Sequence, residues 1–214
     1  RALSLGGLDK AELFAALAAA GLTDLIAPTM HLSGPEAFAV ASAMLGRDCI
    51  VKPSFKPWRA ALGPDGLKVI SRSKEGESDA QVIKRLADVW AMAPSWIAQA
   101  RLSSFGGDER SAVIVRFEDA VLGVEVRERF KHPAMGGTAV WVESVTSTEL
   151  LPAAARIAQA IDLIGICELS FLRDGTGRPR LLELNARPWL QIQLVERSGF
   201  PIVSQGVRAL SGDR

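Results

Sequence analysis

Four polar residues interrupt an otherwise apolar stretch near the C-terminus. Residues 165–191 read "GICELSFLRDGTGRPRLLELNARPWLQ" and carry Glu168, Glu183, Asn185 and Arg187. Two carboxylates and an amide carbonyl are hard oxygen ligands, a set that suits Mg²⁺ better than a soft metal. A guanidinium two residues beyond the amide can hold a phosphate or carboxylate through two parallel hydrogen bonds.

The spacing says how these groups would meet. "RDGTGRP" separates two strand-like runs and is rich in turn residues. With Gly175 and Thr176 as the central pair of a type II′ turn, Glu168 falls directly opposite Glu183. Cross-strand partners have Cβ atoms about 5 Å apart. Alternation then puts Glu183, Asn185 and Arg187 on that face, and Leu182, Leu184 and Ala186 on the core face. Opposed carboxylates repel, and a divalent cation between them removes the repulsion. A slip of one residue would break the arrangement. The bland alternative is a solvated hairpin face with Arg187 in a surface ion pair.

The elements around the hairpin are legible in outline. Asp9, with Glu12 three residues on, starts a helix through "KAELFAALAAA" that stops at Gly21. A second helix follows Ser33 and ends near Gly46. "DCIVKP" and "WIAQARL" read as short strands, with a helix in "SDAQVIKRLADVWAMA" between them behind Ser78. After residue 103 the texture turns β-branched, and "SAVIVRFEDAVLGVEVRERF" reads as two or three strands. A strand in "HPAMGGTAVWVESV" and a helix in "TSTELLPAAARIAQAIDLIG" follow, with Thr146 and Glu149 as its capping box. The hairpin comes next, then a helix in "LQIQLVERS" closed by Gly199 and Pro201. Strands and helices mix without strict βαβ alternation, which predicts an α+β fold.

Composition narrows the function classes. The chain has 214 residues, one large domain or two small lobes. Its 25 Lys and Arg against 24 Asp and Glu leave a net charge of +1, so no basic footprint points to nucleic acid. Cys49 and Cys167 are the only cysteines, each in an apolar run, and read as buried thiols rather than a disulfide. Two histidines, His31 and His132, are too few for a multi-histidine zinc or haem site. No apolar run approaches a membrane span and no signal peptide is seen, so the expectation is a cytoplasmic protein without membrane partners.

The order strand-Glu, glycine-containing turn, then Glu-x-Asn-x-Arg resembles the catalytic hairpin of the ATP-grasp superfamily. "LDKAELFAALAAAGL" resembles that family's helix with an early ATP-contacting lysine, here Lys10, and "DCIVKP" the strand with a phosphate-contacting lysine, here Lys52. "WIAQARL" resembles the hinge strand that holds adenine, which assigns Gln99, Ala100 and Leu102 to the nucleotide. "GGD" resembles the turn leading to a ribose-binding acid, here Asp108 or Glu109. "GGTAVWVES" and "RSGFPI" resemble the carbamoyl-phosphate-synthase-like and carboligase branches, without the usual N-terminal domain.

The resemblance implies an ATP-grasp fold of two α+β lobes with antiparallel sheets that grip ATP. It divides the chain into an N-terminal helical part (1–47), a small ATP-binding lobe (48–103) and a larger catalytic lobe (104–214). It implies an ATP-dependent carboxylate–amine or carboxylate–thiol ligase working through an acyl-phosphate on small-molecule substrates. Glu168, Glu183 and Asn185 would hold Mg²⁺, with Mn²⁺ as an alternative; Lys10 and Lys52 would neutralise phosphate; Arg187 would stabilise the acyl-phosphate. One departure is that "SFKPWRAALGPDG", where a glycine-rich flap is usual, has glycine only late. The alternative reading is a non-catalytic nucleotide-binding module.

Overall fold

A computed structural model describes residues 9–55, 77–102, 109–118, 120–132, 138–189 and 192–212. The chain forms two compact units, one of residues 9–15 and 27–101, the other of residues 1–8, 16–26 and 102–214. Both are built on antiparallel sheets, so the α+β expectation holds. Among the described residues no helix is long and apolar enough to cross a membrane.

The smaller unit has a three-stranded sheet in the order β1 (Thr29–Leu32), β3 (Trp96–Gln99), β2 (Ile50–Pro53). Helix α1 (Lys10–Ala19) begins in this unit, capped by Asp9 Oδ1, which accepts from Ala11 N at 2.8 Å and Glu12 N at 3.3 Å. Helices α2 (Ala37–Leu45) and α3 (Asp79–Val89) pack on one face of the sheet. Alternation sends Leu32, Val51, Trp96 and Ala98 into that interface, where they meet Phe38, Ala41, Val82 and Leu86. Each such side chain contributes about 1.5–3 kcal/mol through burial. Helix α3 starts at a full capping box, in which Ser78 and Gln81 satisfy each other's backbone N–H. The opposite sheet face carries Thr29, Lys52, Ile97 and Gln99.

The larger unit has a five-stranded sheet in the order β6 (Thr138–Val145), β5 (Val121–His132), β4 (Arg110–Arg116), β7 (Gly165–Arg173), β8 (Pro179–Asn185). Central β4 is buried from Ser111 to Arg116, since both its faces are covered. On one side, Val113 and Val115 meet Trp189 and the C-terminal helices α5 (Ile192–Arg197) and α6 (Ile202–Ser211). Helix α6, unanticipated from the sequence, lies flush on β7: a Cβ on Gly206 would sit 2.1 Å from Ile166 Cγ1. On the other side lies α4 (Leu151–Ala160).

Helix α4 corrects one expectation. Thr146 and Glu149 form no capping box, because the helix begins only at Leu151 with Pro152 in its first turn and no side-chain cap. Glu149 instead holds Arg173 at 2.6 Å, and buried Glu125 accepts from Leu150 N at 2.5 Å.

Candidate functional site

The β7–β8 hairpin differs from its expected register. Its loop has three residues rather than two: Asp174 N donates to Arg178 O at 2.9 Å, with Gly175, Thr176 and Gly177 between them. Gly177 takes φ +83°, the left-handed region that closes a three-residue hairpin loop. Asp174 ties the loop together, accepting from Thr176 N, Thr176 Oγ1 and Arg178 N through Oδ1 and from Arg180 Nε through Oδ2. Those bonds, the Thr176 hydroxyl foremost, hold its carboxyl well below the usual range.

An odd loop alone would turn the polar residues of β8 to the wrong face. A bulge corrects this. Phe171 pairs with Leu181, and Ser170 with Glu183, so Leu182 is the extra residue. Glu168 therefore faces Asn185, not Glu183, and Glu183 lies diagonally from it. The shared face survives and the direct opposition of carboxylates does not. The core residues change too: Leu181 and Leu184 are buried, while Leu182 and Ala186 are half-buried.

The face that results is divided. Val113, Val115 and Ile166 lie beneath the C-terminal helices, while Ser111, Ser170, Glu168, Glu183 and Asn185 continue the same face as a polar patch. Asn185 Nδ2 donates to Glu168 Oε2 at 3.2 Å, and the Ser111 and Ser170 hydroxyls meet at 3.2 Å. Glu168 is only 7% exposed. Burial pushes its carboxyl up; hydrogen bonds from Ser111 and Asn185 pull it down; Glu128 on β5 and Glu183 push it up again. A bound cation would reverse that balance, because it favours the ionised form. Among the described residues no group of three His, Cys, Asp or Glu side chains is placed to hold a metal. The hairpin instead offers two carboxylates and an amide, a donor set that fits Mg²⁺ completed by water and phosphate oxygens.

The remaining candidates fall as follows. Arg187 is exposed just past β8, donating to Pro188 O at 3.0 Å. Lys10 is buried at the start of α1, its backbone N–H donating to Ser54 O at 2.9 Å. Lys52 on β2 donates from Nζ to Gln99 Oε1 at 2.7 Å. Gln99, 1% exposed, donates onward from Nε2 to Thr29 Oγ1 at 3.1 Å. Ala100 N donates to Pro28 O, Leu102 is buried, and Glu109 is half-buried with its carbonyl accepting from Glu128 N. Asp108 and most of the "SFKPWRAALGPDG" stretch lie outside the described residues. The structure brings together Glu168, Glu183 and Asn185 in one unit, and Lys52 with Gln99 in the other.

Sequence reasoning missed Thr29, Ser111, Ser170 and Glu128. Ser111 and Ser170 had a signal, each being a single hydroxyl inside an apolar strand run. Thr29 had none, because β1 is only four residues long. Cys167, the neighbour of Glu168, points to the other face; burial pushes its thiol up to about 12, so it is no nucleophile.

No family model matches the sequence, and no curated protein matches it. Solved structures do. An ADP complex of purK, N5-carboxyaminoimidazole ribonucleotide synthetase, is similar with a TM-score of 0.70 and 17% identity, over 97% of this chain and 52% of that one. Biotin carboxylase from Campylobacter jejuni, in a β-γ-ATP complex, gives 0.70 and 17%, over 96% and 46%. The ATP-grasp ligase PsnB, with a precursor peptide and AMPPNP, gives 0.61 and 23%, over 94% and 60%. This chain therefore spans roughly half the length of those proteins.

Proposed function

Starting from the ATP-grasp fold that this chain carries, we propose that it is the nucleotide-binding and catalytic part of an ATP-dependent carboxylate–amine or carboxylate–thiol ligase. The observation that supports this most is the polar half-face of the large sheet. There buried Glu168, held by Asn185 and Ser111, shares a face with Glu183. A buried carboxylate crowded by other acids is costly in isolation and suits a cation site.

In this reading Glu168, Glu183 and Asn185 hold Mg²⁺. The ion supplies charge neutralisation across the β- and γ-phosphate oxygens. Asn185 turns its amide so that Oδ1 joins the two carboxylates, since Nδ2 now points at Glu168. Lys10 and Lys52 neutralise phosphate charge, and Gln99, Ala100 and Leu102 carry the adenine end, with Asp108 or Glu109 toward the ribose. Arg187, exposed beyond the metal residues, binds the carboxylate and the acyl-phosphate made from it. We assign phosphate binding to the stretch 48–103 and catalysis to 104–214.

The test is ADP formation by the full-length protein with Mg-ATP and a panel of carboxylates and amines. Glu183→Ala abolishes it while leaving the fold intact. Unchanged turnover in that variant removes Glu183 from the site. Mg-ATP binding without ADP formation by the unaltered protein would favour a non-catalytic nucleotide-binding module.

A further inference from the structure

Three side chains form one line across the smaller sheet, a strand apiece. Thr29 on β1 is directly opposite Gln99 on β3, and Lys52 on β2 is one diagonal step further. Thr29 Oγ1 donates to Ala27 O at 2.7 Å, Gln99 Nε2 donates to Thr29 Oγ1 at 3.1 Å, and Lys52 Nζ donates to Gln99 Oε1 at 2.7 Å.

The direction of this relay is forced. A threonine hydroxyl has one proton, and Thr29 commits it to the Ala27 carbonyl. Only lone pairs then face Gln99, which must answer with its NH₂ end. The carbonyl end of the amide is thereby turned to Lys52. The reverse orientation would set NH₂ against an ammonium, donor against donor, and leave the hydroxyl facing a carbonyl with no proton to offer. Gln99 is 1% exposed, so water cannot easily repair a wrong orientation.

We propose that Thr29 is a positioning residue for the nucleotide phosphate: by fixing the Gln99 amide it holds the Lys52 ammonium in place. This rests on the reading of Lys52 as a phosphate-binding lysine. Without the Thr29 hydroxyl the amide has no reason to keep its orientation, and Lys52 loses a fixed acceptor. Phosphate affinity then falls although Thr29 touches no ligand.

The experiment is a calorimetric titration of Mg-ATP into the chain and into Thr29→Val, Thr29→Ser, Lys52→Met and the Thr29→Val/Lys52→Met double variant. Melting temperatures are measured alongside, and Thr29→Ala replaces Val if that variant fails to fold. The expected result is about tenfold weaker binding in Thr29→Val, the loss of one hydrogen bond's worth of affinity. Thr29→Ser restores binding to near the wild-type value. In the Lys52→Met background the Thr29→Val change adds nothing, because the effect travels through Lys52. Two results would overturn the inference: wild-type affinity in Thr29→Val, or the same loss with and without Lys52. If the unaltered chain binds no Mg-ATP, the phosphate-binding reading falls and this inference falls with it.

Discussion

Glu168 lies directly across the hairpin from Asn185, whose Nδ2 donates to its Oε2 at 3.2 Å. Glu183 faces Ser170 instead. The two carboxylates are diagonal neighbours, so the repulsion between them is weaker than in direct opposition, and the amide between the strands stabilises the more buried one. A site assembled this way keeps its shape before a cation arrives.

Leu182 is the residue the bulge leaves over, and its deletion separates two registers. Without it, Leu181 still pairs with Phe171 and Glu183 with Ser170, so Glu183 and Asn185 stay on the polar face. The shortened protein is expected to fold, with a loss of about 1–2 kcal/mol for the missing apolar burial, and to bind Mg-ATP. In an unbulged hairpin the same deletion would turn both residues to the other face. Denaturant unfolding and calorimetry check this; a folded deletion variant with no Mg-ATP affinity contradicts the pairing.

Asp174 gives the hairpin its pH dependence. Its carboxyl is held well below the usual range by Thr176, Arg180 and Arg178, so the folded state gives up that proton more readily than the unfolded chain. The stabilisation is present above the ordinary carboxylate value of about 4 and is lost as pH falls through the lower folded value. Asp174→Asn is expected to cost on the order of 1–2 kcal/mol at neutral pH, with the deficit shrinking in strong acid. Stability curves for the two proteins that stay parallel from neutral to acid pH would refute this.

Gly206 tests the packing behind the polar face. Alanine is a better helix former than glycine by about 1 kcal/mol, so propensity alone predicts that Gly206→Ala stabilises α6. Its Cβ would fall 2.1 Å from Ile166 Cγ1, two residues before Glu168 on the same strand face. Overpacking of this kind costs about 1–3 kcal/mol, so the net effect is expected to be destabilising. A raised melting temperature would show that the helix does not lie so close to β7.

Much of this was legible in the sequence. The helix starts at Asp9 and Ser78 were readable from their caps, and the polar face was readable from alternation, because alternation needs only parity. The exact partner was not. "DGTG" fits a two- or three-residue loop, and Leu181, Leu182 and Leu184 are the same residue type, so no apolar pattern marks which one the bulge displaces. Helix α6 was hidden by Gly206 at its middle and by exposed Val203, Val207 and Leu210, which blur its polar side. Thr146 and Glu149 imitated a capping box, yet Arg173 is the stronger partner for that carboxylate. The Thr29–Gln99–Lys52 line depends on strand order, which puts β3 between β1 and β2, and no local pattern reveals strand order.

The central claim is that Glu168, Glu183 and Asn185 hold the metal of a bound Mg-ATP. Its most direct measurement is the Mg-ATP dissociation constant of the unaltered chain beside that of Glu183→Gln, which removes one charge and keeps the shape. The expected result is measurable binding that weakens at least about tenfold in the variant, the scale of one charge-assisted contact of about 1.5–3 kcal/mol, with no fall in melting temperature. Equal affinity in the two folded proteins would contradict it.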